Sequence, residues 1–329
     1  MRFVKKIVSK RPVKSTEIVY DSPKDGKPIE APVPSTRLTP ADIKPACSVA
    51  GPTLTGSTPN FILKNEVNQY FVNETKDKTQ EAGDVYFRAS GLFYMCPREE
   101  VLSSVHKVPR VETIDAKLAA IFELGHVVHY WLQNKVFANK LMGLWKCKKC
   151  KHVHGTQDKI EFKPLKCVKC GSEDIEYVET YYKDDLLHYG GHPDGFVFDF
   201  GELCLVDFKT ASTEAYTGID RWGVNEAYIW QANGYMYLTG VKMLKLIFFN
   251  KNESVFKEKI IRRDESIIEQ IKKKCLDAAY GIESVKGGEF FLPERICKRK
   301  ADARAKNCSM CNICFDKYDK EENFTKIAV

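Results

Sequence analysis

Apolar residues recur at helical spacing over residues 113–132. From Thr113, a candidate N-cap, they follow one another at steps of three and four, which gathers side chains on one face of a helix. The positions are Ile114, Leu118, Ile121, Phe122, Gly125, His129 and Leu132. The pattern predicts a helix whose apolar stripe includes a histidine. A buried imidazole needs a polar partner, so His129 is either a core histidine bonded to a backbone carbonyl or part of a site.

Downstream, short β-rich segments alternate with longer helical ones. HPDGFVFDF and LCLVDFKT flank the turn-prone Gly201–Glu202 and predict a hairpin. A helical segment (VNEAYIWQANGYMYLTG), a strand (MLKLIFFN) and an amphipathic helix (DESIIEQIKKKCLDAAYGIES) follow. The apolar side of the last helix is expected to hold Ile267, Ile268, Ile271, Cys275 and Leu276. The pattern therefore predicts a body that combines strands and helices.

Residues 1–80 lack this periodicity. They are rich in Pro, Lys, Ser and Thr, which predicts an extension with only patchy structure. Order is expected to begin in the segment 88–105, where apolar side chains can bury a face around Cys96. The ordered part of the chain should therefore start well after its first residue.

Composition adds bounds on size, location and partner. A chain of 329 residues with 43% hydrophobic content can bury a substantial core and still carry a small accessory domain. It has no apolar run of the roughly 18 residues that a membrane helix needs, and its basic opening lacks the apolar core of a secretory signal. We therefore expect a soluble, cytoplasmic protein with no membrane partner. The formal charge of +7 is mild and suits a polyanionic partner.

The predicted hairpin carries two acids and a lysine, namely Asp194, Asp207 and Lys209. A two-residue turn would place Asp194 opposite Lys209, whereas a four-residue loop would place Asp194 opposite Asp207. The three residues share one face in either case. Two neighbouring carboxylates repel each other without a cation, and Mg²⁺ or Mn²⁺ prefers such oxygen ligands. A metal site is therefore one interpretation, and a solvated hairpin edge with ordinary surface charges is the other.

Two more pairs of residues are spaced by four, so each pair lies on one face of a helix: Gly125 with His129, and Gln231 with Tyr235. The motifs ELGHVVH, GHPDG, VDFKT and QANGY occur in this order along the chain. Over residues 88–314 the chain resembles the RecB-like PD-(D/E)XK nucleases through these motifs. In that family a Q-x-x-x-Y helix supports the active site, a role that would fall here on Gln231 and Tyr235.

The resemblance implies an α/β fold of the restriction-endonuclease type, with a mixed central sheet flanked by helices over residues 81–320. It also implies an active site with two metal ions. His129, Asp194 and Asp207 would hold Mg²⁺ or Mn²⁺, and Lys209 would position the attacking water. Asp207 stands where many family members have a glutamate, so its carboxylate reaches one methylene less far.

Nine of the twelve cysteines fall into two groups. In a chain without an export signal, tight C-x2-C spacing indicates metal binding rather than disulfides. The ribbon cysteines follow the pattern C-x2-C-x16-C-x2-C and predict a zinc ribbon inserted over residues 145–177. They are Cys147, Cys150, Cys167 and Cys170. His152 and His154 are alternative ligands, although four thiols complete a tetrahedral site without them. The isolated cysteines are interpreted as small hydrophobic residues: Cys47, Cys204 and Cys275.

The terminal cysteine group lies on both sides of the core and consists of Cys96, Cys297, Cys308, Cys311 and Cys314. One cysteine before the core and a cluster within residues 293–316 resemble the iron–sulfur branch of these nucleases, which includes AddB and the CRISPR-adaptation exonucleases. The resemblance implies a [4Fe–4S] cluster that joins the two ends of the core. The closing C-x5-C of the family favours Cys96, Cys297, Cys308 and Cys314, with Cys311 as the alternative. Zinc is the rival metal.

The implied reaction is hydrolysis of DNA phosphodiesters. Because the iron–sulfur relatives are mostly exonucleases on single-stranded ends, the resemblance implies an end-dependent exonuclease in DNA recombination, repair or replication, from a prokaryote or a phage-infected cell. A structure-specific endonuclease of the same fold and a non-catalytic DNA-binding scaffold are the alternatives. The chain has no P-loop motif, so any unwinding would come from a helicase or recombination partner.

Overall fold

The computed structural model describes residues 86–107, 116–199, 201–287 and 291–318, together with Glu66, Gln69 and Tyr70. Apart from these three residues, the predicted extension over 1–80 lies outside the described residues. The same holds for Cys47 and for the candidate N-cap Thr113.

Strands and helices alternate along the described part of the chain. The strands are β1 (Phe87–Arg88), β2 (Leu141–Cys147), β3 (Val153–His154), β4 (Glu161–Phe162), β5 (Ile175–Val178), β6 (Tyr182–Asp184), β7 (Tyr189–Gly191), β8 (Gly195–Asp199), β9 (Glu202–Ala211), β10 (Met243–Asn250) and β11 (Val255–Arg262). The helices are α1 (Pro97–Val105), α2 (Ala116–Trp131), α3 (Thr213–Trp222), α4 (Glu226–Thr239), α5 (Glu265–Lys286) and α6 (Ala303–Lys306), with π-helical turns at Leu132–Val136 and Ile313–Lys317. The pattern of apolar residues did not predict α3 and β11. None of the described helices is long and apolar enough to cross a bilayer.

Helices flank a mixed central sheet, which confirms the predicted α/β class. The strands follow the order β11-β10-β9-β8-β2-β3, and β4 and β5 also pair with β2. β9 and β10 run parallel, and α3 and α4 form the crossover that parallel neighbours need. The other pairs of this sheet are antiparallel. A smaller sheet has the order β1-β7-β6.

The hairpin of β8 and β9 has a two-residue turn, but its pairing register differs from the one predicted for such a turn. Asp199 lies opposite Glu202, so the turn begins one residue earlier than predicted. The glycine of this turn has a φ of 82°, a left-handed conformation that glycine adopts without strain. Continued by one step, the pairing places Asp194 opposite Asp207, which the sequence analysis expected only from a four-residue loop.

Two cores lie on either side of the central sheet. The first packs β9 and β10 against α4 and α5, and it buries Leu205, Tyr235 and Ile271. The second lies against the end of α2 and the ribbon strands, and it buries Val206 and Leu132. Consecutive residues of β9 thus enter different cores, as the two-residue period of a strand requires.

The first part of α2 departs from the prediction of a buried stripe. Leu118, Ile121 and Phe122 are 39%, 40% and 48% exposed, and burial begins only at Val128. The helix sequence AKLAAIFELGHVVHYW is apolar on nearly all sides, so its periodicity does not single out the face that packs against β9. A strongly apolar helix therefore presents much of its surface to solvent.

β2 belongs both to the central sheet and to the ribbon. Its start pairs with β8 at Leu141, and its end pairs with β5 at Cys147 and Ile175. Cys147 and Cys167 are buried in the second core beside the sheet. The strand runs through the insertion boundary predicted at residue 145, so the ribbon continues the sheet without a linker.

α5 buries Ile268, Ile271 and Cys275 as predicted, but Leu276 is 44% exposed. Consecutive residues of a helix are rotated by about 100°, so Leu276 cannot share the face of Cys275. Ala278, three residues after Cys275, occupies that face and is fully buried. The apolar side of this helix is therefore narrower than its sequence predicted.

Candidate active site

Side chains from α2 and from the loop before β8 meet at the end of the hairpin. Nδ1 of His129, in the last turn of α2, lies 3.3 Å from Oδ1 of Asp194. The other oxygen of Asp194, Oδ2, accepts a hydrogen bond of 2.5 Å from the backbone N–H of Phe208 in β9. The imidazole also packs edge-on against the Phe208 ring, with centroids 6.0 Å apart. These contacts hold Asp194 in a position where it is only 6% exposed.

A second chain of polar contacts runs from β9 to α4. Nζ of Lys209 lies 2.6 Å from Oδ2 of Asp207 and donates a hydrogen bond of 3.1 Å to Oε1 of Gln231. Nε2 of Gln231 then donates to the hydroxyl of Tyr235 at 3.1 Å. The period of a strand places the first two side chains on one face, and the spacing of four does the same for the last two. The structure therefore brings all four residues into one chain.

Burial and the negative charge concentrated here together shift several pKa values. Burial raises the pKa of Asp207 to about 6, although Lys209 opposes the shift. Burial alone would lower the pKa of Lys209, but the charges of Asp207 and Asp194 raise it. Burial would likewise lower the pKa of His129, but the hydrogen bond and charge of Asp194 raise it. Acids that resist ionisation and bases that retain protons are expected where buried carboxylates attract cations.

Glu179 is a carboxylate of this site that the sequence analysis missed. Ligand atoms of His129, Glu179 and Asp194 all lie within 4.8 Å of one another. Asp207 is outside this compact set, and its Oδ2 lies against Lys209 instead. Burial raises the pKa of Glu179, and the charge of Asp194 adds to the shift. No motif marks Glu179, because only the pairing of β5 with β2 carries it to the site.

The site opens into a cleft of about 880 Å³. One wall is α2, where Phe122, His126 and Tyr130 repeat every four residues and line the cleft. Tyr94 and Tyr228 line it from other elements. Phe122 is 48% exposed, Tyr130 45% and Tyr94 61%. The cleft therefore combines charged groups with an aromatic wall that solvent can reach.

The ribbon cysteines form a compact thiol cluster. Sγ of Cys147 lies 3.6 Å from Sγ of Cys170, and Sγ of Cys150 lies 3.5 Å from Sγ of Cys167. All four sulfur atoms are within 4.8 Å of one another, close to the spacing of about 3.8 Å that four ligands at 2.3 Å from a tetrahedral ion would have. The backbone N–H of Cys150 lowers the pKa of the Cys147 thiol to about 6, which favours the thiolate. The cluster can bind a metal ion, and the two nearby histidines are not part of it.

All five cysteines of the terminal group line a single cavity. Within the described residues, this group contains no three sulfur atoms as close together as those of the ribbon. Burial, assisted by the charge of Glu99, raises the pKa of the Cys308 thiol to about 12, so that holding its thiolate requires a nearby cation. A buried guanidinium is present: Nε of Arg98 donates to Sγ of Cys314 at 3.3 Å.

No protein family and no curated protein matches this sequence. Among solved structures, the chain is similar to SSO0001, with a TM-score of 0.35 and 14% identity over 65% of this chain and 85% of that one. It is also similar to LHK-Exo, an alkaline exonuclease from Laribacter hongkongensis solved in complex with dAMP, with a TM-score of 0.37 and 15% identity over 63% of this chain and 91% of that one. A phage-related exonuclease from Haemophilus somnus 129PT has a TM-score of 0.24 and 15% identity over 33% of this chain and 60% of that one. Likenesses this distant assign neither a family nor a function to the chain.

Proposed function

We propose that the protein is a divalent-metal-dependent DNA nuclease of the RecB-like PD-(D/E)XK type that degrades single-stranded DNA from an end. The observation that carries the proposal is the meeting, in one cleft, of the His129–Asp194 pair with the Asp207–Lys209 pair. A nuclease of this kind needs oxygen and imidazole ligands for a metal ion and a cation beside the attacking water. Both sets of groups are present at the open end of the hairpin.

The donor set fits Mg²⁺ or Mn²⁺. Asp194 and Asp207 supply carboxylate oxygens, and His129 supplies an imidazole nitrogen. The buried Oδ2 of Asp207 makes no hydrogen bond of regular geometry, although Nζ of Lys209 is 2.6 Å away. A buried oxygen with an unused lone pair suits a cation ligand. When bound, a divalent ion would provide a nucleophilic water at neutral pH and neutralise charge on the leaving oxygen.

Lys209 is the residue best placed to orient the attacking water or the phosphate. Asp207 and Gln231 hold its ammonium group from two sides, and the raised pKa keeps it charged. Tyr235 in turn fixes the amide of Gln231. Because the two residues on α4 hold the lysine in place, they would act by positioning it and not by touching the phosphate.

The aromatic wall supports a single-stranded substrate. Bases that are not paired can stack on exposed rings such as Phe122 and Tyr130, and each stacked base is worth roughly 1–3 kcal/mol. Bases inside a duplex are already stacked on their neighbours and cannot use such a wall. The phosphates of the same strand would then lie toward the charged end of the cleft at Lys209, where contacts do not depend on base sequence.

The test is cleavage of end-labelled linear and of circular single-stranded DNA with Mg²⁺ or Mn²⁺, and with EDTA as the control. We expect linear DNA to be degraded to small products and circular DNA to survive. Asp194→Asn, Asp207→Asn and Lys209→Met should each lower the rate by at least about a hundredfold, while Gln231→Ala should have a smaller effect because Lys209 retains Asp207. Cutting of circular DNA would favour the structure-specific endonuclease, and binding without cutting would favour the non-catalytic scaffold.

We further propose that the ribbon cysteines hold Zn²⁺ and that the terminal cysteine group holds a [4Fe–4S] cluster. The short sulfur–sulfur distances of the ribbon suit one tetrahedral ion. The wider spacing of the terminal thiols suits a larger, multi-atom cofactor. Arg98, which also donates to the carbonyl oxygens of Pro293 and Tyr318, would offset the negative charge of four thiolates. Metal analysis and the absorption spectrum of anaerobically purified protein test both assignments.

A further inference from the structure

The last strand of the ribbon ends at the active site. β5 begins five residues after Cys170, the last of the ribbon cysteines, and pairs along its length with β2, from Ile175 opposite Cys147 to Val178 opposite Leu144. The next residue is Glu179. β5 therefore follows directly on the second pair of ribbon cysteines, and its end carries Glu179 into the cleft.

The π-helical turn after α2 fixes this strand at its far end. Oδ1 of Asn134 accepts a hydrogen bond of 2.7 Å from the backbone N–H of Tyr177. The adjacent Gln133 donates from Nε2 to Oε1 of Glu179 and to the backbone oxygen of Asp194, both at 2.9 Å. Gln133 and Asn134 are 5% and 7% exposed, so both amides are committed to these contacts. One buried amide therefore ties Glu179 to the loop that carries Asp194.

The other end of the strand is fixed at the thiol cluster. The backbone N–H of Lys148 donates to the carbonyl oxygen of Asp174 at 2.9 Å, and Cys147 and Cys167 are buried together in the second core. The thiols of Cys147 and Cys170 are 3.6 Å apart, so an ion shared by them would clamp the end of β2 to the segment just before β5. The register of β5 on β2 would then depend on this clamp, because a free end of a short strand frays.

We propose that Glu179 is a further protein ligand of the catalytic metal site, in addition to His129, Asp194 and Asp207, and that the metal-closed ribbon holds Glu179 in place. The inference rests on the proposed function, since it takes the metal site at His129 and Asp194 as given. On this inference the ribbon completes the active site by holding Glu179, and no contact between the ribbon and DNA is required. A histidine together with several carboxylates forms a donor set that binds Mn²⁺ well.

The first test measures Mn²⁺ binding to the full-length protein by electron paramagnetic resonance and by calorimetry, without substrate. Glu179→Gln keeps the size of the side chain and its contact with Gln133. It should weaken Mn²⁺ binding by at least about tenfold, because a metal site loses that much affinity even when a residue that only hydrogen-bonds to a ligand is removed. Glu176→Gln is the matched control, because Glu176 lies on the same strand and only pairs with Lys148, at 3.7 Å. Unchanged Mn²⁺ affinity in Glu179→Gln would overturn the assignment.

The variant Asp194→Asn distinguishes a failure of the inference about Glu179 from a failure of the proposed function. If Asp194→Asn abolishes Mn²⁺ binding while Glu179→Gln has no effect, the proposed function stands and the inference about Glu179 fails. If Asp194→Asn leaves Mn²⁺ binding intact, the metal site itself is wrong and the proposed function fails with it.

The second test asks whether the ribbon acts through Glu179. Cys170→Ser changes an exposed thiol and should remove about one equivalent of zinc per chain. We expect it to weaken Mn²⁺ binding by about as much as Glu179→Gln does, and the double variant to bind no more weakly than either single one. The same comparison in wild-type protein before and after reversible zinc removal serves if Cys170→Ser does not fold. Additive losses, or full Mn²⁺ affinity without zinc, would overturn the role of the ribbon.

Discussion

The ribbon cysteines and the terminal cysteine group are two thiol clusters of opposite build. The ribbon cysteines lie within 24 residues of sequence, and their sulfur atoms are within 4.8 Å of one another. The terminal group joins Cys96 to residues 297–314, and its thiols are spread around the wall of a cavity. A short loop closed by one ion can organise itself locally. A cofactor held by distant segments can form only when the rest of the fold has brought those segments together.

Chain entropy makes this difference quantitative. Closing a loop of about 200 residues restricts the unfolded chain more than closing one of about 20, by (3/2)RT ln 10, or about 2 kcal/mol. The proposed iron–sulfur cluster should therefore matter most for the stability of the whole molecule. The proposed zinc ion of the ribbon should matter most for the part of the site that the ribbon strands support.

The largest effect is expected from the terminal cysteine group. Cys308→Ala should remove the brown colour of anaerobically purified protein and its broad absorption near 400 nm, and should lower the free energy of unfolding by about 2 kcal/mol more than a ribbon variant does. Urea unfolding under anaerobic conditions measures the difference. Cys275→Ala is the control, because Cys275 is buried in the first core, belongs to neither thiol cluster and should leave the colour unchanged. Colourless wild-type protein with two zinc equivalents would contradict the iron assignment.

A smaller loss of stability is expected when the ribbon ion is lost. Cys170→Ser should release one zinc equivalent, keep the brown colour and leave a cooperative unfolding transition, since the two thiol clusters share no residue. Zinc analysis, the absorption spectrum and urea unfolding of one preparation check all three. If Cys170→Ser destabilised the protein as much as Cys308→Ala, the contrast between a local and a long-range cluster would be wrong.

Within the terminal group, the effect should depend on which thiols are ligands. We expect Cys297→Ala to bleach the protein and Cys311→Ala to leave most of its absorption near 400 nm, because the family pattern favours Cys297 as the fourth ligand. Both side chains are partly buried and line the same cavity, which makes them a matched pair. If Cys311→Ala bleached the protein and Cys297→Ala did not, Cys311 and not Cys297 would be the fourth ligand.

The smallest change in stability should follow removal of the catalytic ion. Dialysis against EDTA should stop DNA cleavage reversibly while the brown colour remains, because the catalytic metal site and the terminal cysteine group share no residue. Thermal unfolding with and without Mn²⁺ should differ only by the binding term RT ln(1 + [L]/Kd), about 2.7 kcal/mol when the ion is at a hundred times its Kd and less at lower concentration. Irreversible loss of cleavage after Mn²⁺ is restored would show that EDTA had removed another metal as well.

Local pattern was enough to predict much of the fold. The strand at Met243–Asn250 and the helices at Glu226–Thr239 and Glu265–Lys286 follow directly from hydrophobic period and length. The turn of the hairpin begins one residue earlier than predicted, which shifts the partner of each residue by two positions. The turn adopts the position that its glycine allows. The exposed start of α2 could not be predicted, because the spacing of apolar residues along a helix identifies its buried face only when the opposite face is polar.

The residues of the candidate site likewise fall into those that could be paired from the sequence and those that could not. Residues in one strand or on one helix face, such as Asp207 with Lys209 and Gln231 with Tyr235, are placed together by local geometry and could be paired from sequence. Glu179 could not, because strand pairing across the ribbon carries it to the cleft and no local motif surrounds it. Contacts that depend on the whole topology, including those of Arg98 with Cys314, leave no periodic signal along the chain.

The distance along the chain between the two parts of the terminal cysteine group also sets an order of events during synthesis. Cys96 is translated about 200 residues before the first of its partners, which at 5–20 residues per second corresponds to an interval on the order of 10–40 s. The central sheet, the ribbon and the catalytic residues are all translated within that interval. A cofactor that needs both parts can therefore be inserted only after the whole segment between them has been made. If the terminal cysteine group holds the proposed iron–sulfur cluster, cells that are short of iron would accumulate a folded precursor that lacks the cluster.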